Sequence, residues 1–244
     1  MLRRQTMNNK SIKRSTLALI LAVSLTTFVF PLTASANVEQ QEYTYRTYQG
    51  KTSGKAKVTD AYKKDYTATL EMGDKTKVKI RIPKITIPGV NTKAINSKIY
   101  KKCKSKSGGN KYEQTSCTYS YYVGKEFISL YIGFDTYDGY SEGGSSYLLY
   151  NISRKTGKKM TKAQVLKVFK ISKSKFKAIV KKDVIKSMNN SGFDYSSFLY
   201  NKNISDENLK QAIPYLNSKG KRSYLLPHYH IPAGRGDYTH GGTF

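Results

Sequence analysis

The chain has 244 residues, of which 43 are Lys or Arg and 16 are Asp or Glu, and 38% are hydrophobic. This composition supports a buried core and excludes an intrinsically disordered chain. Two cysteines are too few for a disulfide-rich miniprotein or a four-thiolate zinc module. The apolar runs are too short for a protein with several membrane spans, and the length fits one domain with or without a tail.

The first 36 residues have the pattern of a secretory signal peptide. Residues 1–14 carry five basic residues and no acidic residue, and an apolar run from Leu17 to Leu32 follows. Ala34-Ser35-Ala36 then matches a small-x-small cleavage site. We predict that residues 1–36 are removed and that the mature protein is secreted, and in part wall-associated, in a Gram-positive bacterium. An uncleaved membrane anchor is the alternative.

The first half of the mature chain is predicted to be a polar tail followed by a sheet with one helix. Residues 37–65 lack apolar periodicity and predict a linker or loosely attached tail. Residues 78–82 alternate apolar and basic side chains and predict a strand that ends at Pro83. Residues 91–104 predict a short helix. Three strands follow, with a tight turn at Gly124-Lys125. Their predicted apolar faces are Cys117, Tyr119, Tyr121 and Val123; Ile128, Leu130, Ile132 and Phe134; and Leu148, Tyr150 and Ile152.

The second half is predicted to be helical and to end in two strands. Thr161 and Gln164 have the spacing of a capping box, which predicts a helix to about Phe169. A second helix begins near Ser174, and Ser205 is placed as the N-cap of a short helix over 206–212. The apolar stripe of the second helix is Phe176, Val180, Val184 and Met188. The order of elements predicts one α+β domain over 66–244, with a mostly antiparallel sheet packed with two to four helices.

The basic charge is clustered along the chain. Five basic residues lie within 1–36, which leaves 38 basic residues against 16 acidic ones and a net charge of +22. Thirteen basic residues and one acidic residue lie between Arg154 and Lys186, and seven and none lie between Lys93 and Lys111. Either a polyanion offsets this self-repulsion or the lysines form a merely soluble surface. The predicted polyanion contacts are Lys77, Lys79, Arg81, Lys175, Lys177, Lys181, Lys182 and Lys186.

The two cysteines, Cys103 and Cys117, are predicted to form a disulfide, because thiols of exported chains tend to oxidise. The bond would close a loop of about fifteen residues and contribute about 3 kcal/mol in the chain-entropy model. Two free thiols are the alternative.

Residues with possible chemistry are few. His228 and His230 alternate on the last predicted strand and His240 follows, a trio that could bind Zn²⁺ or Cu²⁺. Since Asp237 is the one carboxylate nearby in sequence, we predict no metal site and no cofactor. The sequence contains no nucleophile elbow, P-loop, metalloprotease helix or EF-hand loop. We therefore predict that the protein is not an enzyme.

Two segments, YNISRKTGKKMT at 150–161 and LLPHYHIPAG at 225–234, resemble parts of RsiV-type extracellular domains, the DUF3298 and DUF4163 group. Tyr150–Thr161 (YNISRKTGKKMT) looks like that family's strand, Thr-Gly-Lys turn and capped helix. Leu225–Gly234 (LLPHYHIPAG) is similar to its closing strand. The resemblance covers about residues 66–236 and implies an α+β domain outside the cell.

The same family occurs in anti-sigma-factor ectodomains that sense lysozyme and beside polysaccharide deacetylase domains. About sixteen residues precede the apolar run here, too few for a cytoplasmic anti-sigma domain, and no deacetylase domain is appended. A net charge of +22 also repels basic lysozyme. The resemblance therefore implies a fold and a location more than a ligand.

We predict a secreted, non-enzymatic domain that contacts an anionic cell-envelope polymer through its lysine-rich faces. It is expected to bind no specific nucleic acid and to keep no membrane span after processing. A module that captures an extracellular protein is the first alternative. A hydrolase of wall material is the second, with its carboxylate pair drawn from Glu126, Asp135, Asp138 and Glu142.

Overall fold

The computed structural model describes residues 55–139, 144–232 and 238–244. The predicted signal peptide lies outside these residues, as does Glu142. In chain order the elements are β1 (Lys57–Thr69), β2 (Lys75–Thr86), α1 (Lys93–Lys106), β3 (Gly108–Gly109), β4 (Gln114–Val123), β5 (Phe127–Tyr137), β6 (Ser145–Ser153), α2 (Lys162–Val168), α3 (Lys173–Asn190), α4 (Ser197–Ile204), α5 (Asp206–Leu209), β7 (Ile213–Leu216), β8 (Arg222–Tyr229) and β9 (Tyr238–Thr243).

The first six strands form one sheet with the order β1-β2-β4-β5-β6, and β3 pairs with β4. The pairs are antiparallel except β2 with β4, which α1 connects. Helix α1 packs against one face of this sheet through Ile95, Ile99 and Cys103. These residues lie four apart in sequence and therefore share one side of the helix.

The last three strands form a second antiparallel sheet between the first sheet and α3. Leu225 packs with Tyr131 and Leu149 of the first sheet, whereas Tyr224 and Leu226 pack against α3. The two directions follow because successive side chains of a strand point to opposite faces. The fold therefore has four layers, namely α1, the six-stranded sheet, the three-stranded sheet and α3.

Two buried side chains of the first sheet hold β7 in place. Ser129 Oγ donates to Asn151 Oδ1 at 2.8 Å and accepts from the backbone N–H of Leu216 at 2.8 Å. Asn151 Nδ2 donates to the carbonyl oxygen of Pro214 at 2.9 Å. Because buried polar groups are costly when unpaired, these bonds fix the second sheet on the first.

The predicted α+β class with a mostly antiparallel sheet is confirmed. The capping box is formed: Thr161 Oγ1 accepts from the Gln164 N–H, and Gln164 Oε1 accepts from the Thr161 N–H. The apolar stripe of α3 is buried as predicted. Among the helices of residues 55–139, 144–232 and 238–244, none has both the length and the hydrophobicity of a membrane span.

Two predicted boundaries are wrong. Lys57–Thr69 forms β1 where the sequence predicts a polar tail as far as residue 65. This strand is at the edge of the sheet and packs only Val58, Tyr62 and Tyr66 among its large side chains, so its apolar pattern is weak. Strand β2 continues through Pro83, because Pro83 pairs at a bulge where the ladder with β1 is already irregular.

Candidate anion-binding surface

The basic strand predicted from the sequence is only partly exposed. Lys77 and Lys79 on β2 are exposed, but Arg81 is buried, with 6% of its surface accessible. Its guanidinium donates to both carboxylate oxygens of Asp65 on β1 and to the carbonyl oxygen of Lys64. Burial lowers the pKa of Arg81. The prediction of Arg81 as a polyanion contact is therefore wrong, because its charge is paired across two strands.

The basic helix predicted from the sequence is α3, and its lysines divide between two sides. Lys175, Lys182 and Lys186 are exposed and lie seven and four apart, on one side. Lys177 and Lys181 lie on the other side, and Lys177 Nζ is 2.9 Å from Asp206 Oδ2. Since α3 packs on the three-stranded sheet and β2 belongs to the six-stranded one, the two predicted groups lie in different layers of the fold.

Five lysines gather where α2, α3 and the end of α5 meet, and we call them the lysine surface. They are Lys162, Lys173, Lys177, Lys181 and Lys210. Lys162 Nζ donates to the carbonyl oxygen of Lys210 at 2.9 Å. Burial lowers the pKa of Lys162, and the nearby charge of Lys173 lowers it further.

One carboxylate, Asp206, lies among the lysines of this surface. Its hydrogen bond with Lys177 lowers the pKa of Asp206, and the charges of Lys177, Lys181 and Lys210 lower it further. Five ammonium groups against this carboxylate leave an excess of positive charge. Such a surface attracts anions and is stabilised when one binds.

A second basic region, the α2 groove, is concave. It has a volume of about 640 Å³ and contains four lysines and one carboxylate. Its lining residues are Glu126, Ser153, Thr156, Lys158, Lys159, Met160, Gln164, Lys167, Val168 and Lys170. Gln164 lies about 200° around α2 from Lys162, because each residue turns the helix by about 100°. The groove and the lysine surface therefore flank opposite sides of this short helix.

Lys170 in the groove has a backbone conformation unusual for its residue type. Its φ is 55°, and it is the only non-glycine residue with positive φ in the described part of the chain. It follows α2, where the N–H of Lys170 donates to the Lys167 carbonyl and the N–H of Ile171 to the Leu166 carbonyl. This is a Schellman ending, in which glycine is the usual residue. The groove lysines lie within the basic run from Arg154 to Lys186. The sequence analysis did not predict them as binding contacts.

The three histidines considered as metal-ligand candidates are not grouped in one site. His240 is buried, and its Nε2 lies 3.2 Å from Asp183 Oδ2, which also accepts a 2.6 Å hydrogen bond from Tyr224 Oη. Burial raises the pKa of Asp183, but the hydrogen bonds with His240 and Tyr224 outweigh it and hold the pKa below its usual value. His228 and His230 are half-buried. In the described ranges no three His, Cys, Asp or Glu side chains are grouped to hold a metal ion.

The cysteines are neighbours but are not bonded. Cys103 on α1 and Cys117 on β4 are buried free thiols. A hydrogen bond with Cys103, together with burial, raises the pKa of Cys117, whose thiol also donates to the Arg81 carbonyl at 3.6 Å. The structure thus has free thiols where a disulfide is predicted, and oxidation of the pair stays a prediction. Mass spectrometry of the purified protein without reduction tests it.

Two of the carboxylates considered for a hydrolase, Glu126 and Asp138, lie at opposite ends of β5. Glu126 lines the α2 groove before β5, and Asp138 follows β5 and lines a separate cavity of about 520 Å³. An eleven-residue strand separates them, which is more than 30 Å at about 3.3 Å per residue. Asp135 accepts from Ser145 Oγ at 3.0 Å, and burial raises its pKa. Glu126 and Asp138 are therefore too far apart to act as a glycosidase pair.

Five chains of solved structures match this chain, and a DUF3298 family member is among them. A member of the DUF3298 family from Bacteroides fragilis aligns with a TM-score of 0.39 and 11% sequence identity, over 79% of this chain and 92% of that chain. No family model and no curated protein matches the sequence. At this TM-score neither a family nor a function follows, and the resemblance to RsiV-type domains stays a prediction.

Proposed function

We propose that this chain is a secreted binding domain for an anionic polymer of the cell envelope, with the lysine surface and the α2 groove as its contact regions. The observation that supports the proposal is the arrangement of charge around α2. Nine lysines flank this one helix, against the carboxylates of Asp206 and Glu126. Burial and then the nearby charge of Lys173 lower the pKa of Lys162, and a bound anion would favour its charged form.

An extended polymer suits this arrangement better than a single small anion. The two basic regions lie on opposite sides of α2, and one linear chain of charges could contact both. Binding of this kind releases counterions from the polymer, so the affinity should fall steeply as salt rises. A few Lys→Glu changes on the contact regions should then weaken binding strongly.

The test is cosedimentation of the secreted protein with Gram-positive cell walls, with and without their teichoic acids, across a salt series. The variant K173E/K181E/K210E reverses three charges of the lysine surface and leaves the Lys177–Asp206 pair intact. The matched control K98E/K101E/K102E reverses three exposed lysines of α1, in another layer of the fold.

The proposal expects binding that needs teichoic acid, falls with salt, and is lost in the first variant but kept in the control. Equal loss in both variants would show that total charge matters and that this surface does not. Binding that is indifferent to teichoic acid and salt would exclude the polymer.

A protein-binding module is the second candidate, and exposed aromatic side chains favour it. Phe198 at the start of α4 is 72% exposed and Phe193, just before it, is 45% exposed. Aromatic residues of this kind often carry the binding energy of protein interfaces. This candidate predicts a defined complex that survives moderate salt and is lost in F193A/F198A. The polymer proposal predicts that the same double variant binds walls normally.

A further inference from the structure

We propose that the α2 groove is a subsite for phosphate groups, so that the anionic polymer is one that carries phosphates and not carboxylates alone. The inference rests on the proposed function and narrows its ligand to a chemical class. Three features of the groove support it: its shape and charge, its choice of cation, and the backbone of Lys170.

Shape and charge make the groove a site for a multivalent anion. A volume of about 640 Å³ is within the usual range for small-molecule sites and leaves room for more than one phosphate group. Lys158, Lys159, Lys167 and Lys170 are exposed, and Glu126 is the only carboxylate among the lining residues. The hydroxyl groups of Ser153 and Thr156 add donors on one wall.

The cations of the groove are all lysines. Arginine binds carboxylates and phosphates alike, through two parallel N–H groups. An ammonium group is a compact charge with three donors that can point in any direction, and it suits the oxygens of a tetrahedral phosphate. Met160 and Val168 give the groove an apolar wall, against which the carbon atoms between two phosphates could lie.

Lys170 is retained in a conformation that favours glycine. A side chain in the left-handed region is strained, and such strain persists where the side chain has a use. The Schellman hydrogen bonds involve only the backbone of Lys170, so glycine would form them equally well. A charge presented to a ligand in the groove explains why lysine is kept.

The strain makes a sharp test possible, because Lys170→Gly should separate stability from binding. Glycine relieves the backbone strain, so the Tm should rise by about 2–4 °C. The same change removes one of four ammonium groups, and the affinity for inorganic pyrophosphate should fall about tenfold. Lys155→Gln is the matched control, since Lys155 is an exposed lysine of the same turn that does not line the groove.

The measurement is calorimetric titration of the secreted protein with pyrophosphate and, at equal ionic strength, with citrate as a carboxylate of similar charge. We expect one pyrophosphate per chain, citrate at least tenfold weaker, K170G weakened as stated, and K155Q unchanged. Equal affinity for citrate and pyrophosphate would overturn the phosphate assignment. A K170G variant that binds like the wild type would remove the groove from the site, and one with a lower Tm would show that Lys170 is kept for folding.

Wall cosedimentation separates this inference from the proposed function. If the groove assignment alone is wrong, wild type and K170G sediment equally with teichoic-acid-containing walls, and pyrophosphate gives no site-specific heat. If the proposed function alone is wrong, pyrophosphate binds as described while walls bind nothing.

Discussion

Replacing Phe176 with alanine should lower the free energy of unfolding by about 3–5 kcal/mol. The ring has no exposed surface and contacts the rings of Phe244 and Tyr224 at centroid distances of 5.4 and 6.3 Å. Burying a phenylalanine side chain contributes about 1.5–3 kcal/mol, and each aromatic pair adds about 0.5–1.5 kcal/mol. The sum is about 2.5–6 kcal/mol, which brackets the expected loss.

The assay is urea unfolding followed by far-ultraviolet circular dichroism, since the chain has no tryptophan. Phe198→Ala is the matched control, because Phe198 is 72% exposed and its truncation should change stability by less than about 0.5 kcal/mol. A loss below about 1 kcal/mol for Phe176→Ala, at an unchanged dependence on urea, would refute the packing of α3 on the second sheet. It would also contradict the positions assigned to the lysines of α3, since these follow from the packing of its apolar face.

Three further substitutions test the polar contacts by the same unfolding assay. Asp65→Asn should cost about 1.5–3 kcal/mol, because it leaves the buried Arg81 guanidinium without its counter-charge; a cost near zero would mean that Arg81 finds water instead. Asn151→Ala should cost about 1–3 kcal/mol, because it removes the donor to the Pro214 carbonyl and the acceptor of the Ser129 hydroxyl. A neutral result would argue against the polar link between the two sheets. Asp183→Asn should destabilise the protein at pH 7, with a difference from wild type that shrinks as pH falls below about 4. The pKa of Asp183 is lower in the folded state, so its contribution is present above the unfolded value of 3.8 and is lost as pH falls through the folded one. A difference that stays constant between pH 7 and pH 2.5 would show that the charge of Asp183 is irrelevant.

The sequence predicted best those elements whose signals are local. The capping box that begins α2 and the four-residue spacing of apolar residues along α3 need no knowledge of the rest of the chain. Strand β1 was not predicted, because an edge strand that buries few large side chains shows little alternation of apolar and polar residues. Strand β9 was not predicted either. Its sequence, YTHGGT, has two glycines and a low strand propensity, and its pairing with β8 makes it a strand.

The sequence indicated that the candidate site is rich in lysine, but it did not indicate how the lysines are arranged in space. The density of lysine between Arg154 and Lys186 marked the segment that carries most of the proposed contact lysines. Which of these charges are paired depends on contacts between residues far apart in sequence, such as Lys177 with Asp206. The same holds for Arg81, which finds Asp65 only through the register of β1 and β2. The left-handed backbone of Lys170 carries no signal in residue type at all.

The polar link at β7 also bears on self-association. β7 is the outermost strand of its sheet, and the free edge of a sheet is a template on which another chain can add a strand and aggregate. Here Pro214 has no N–H to offer, its carbonyl is taken by Asn151, and the Leu216 N–H is taken by Ser129. A highly charged protein resists aggregation by repulsion, but it loses that protection when an anionic ligand neutralises it. The occupied edge of β7 does not depend on charge, so this edge would stay closed to strand addition when molecules are crowded along one polymer.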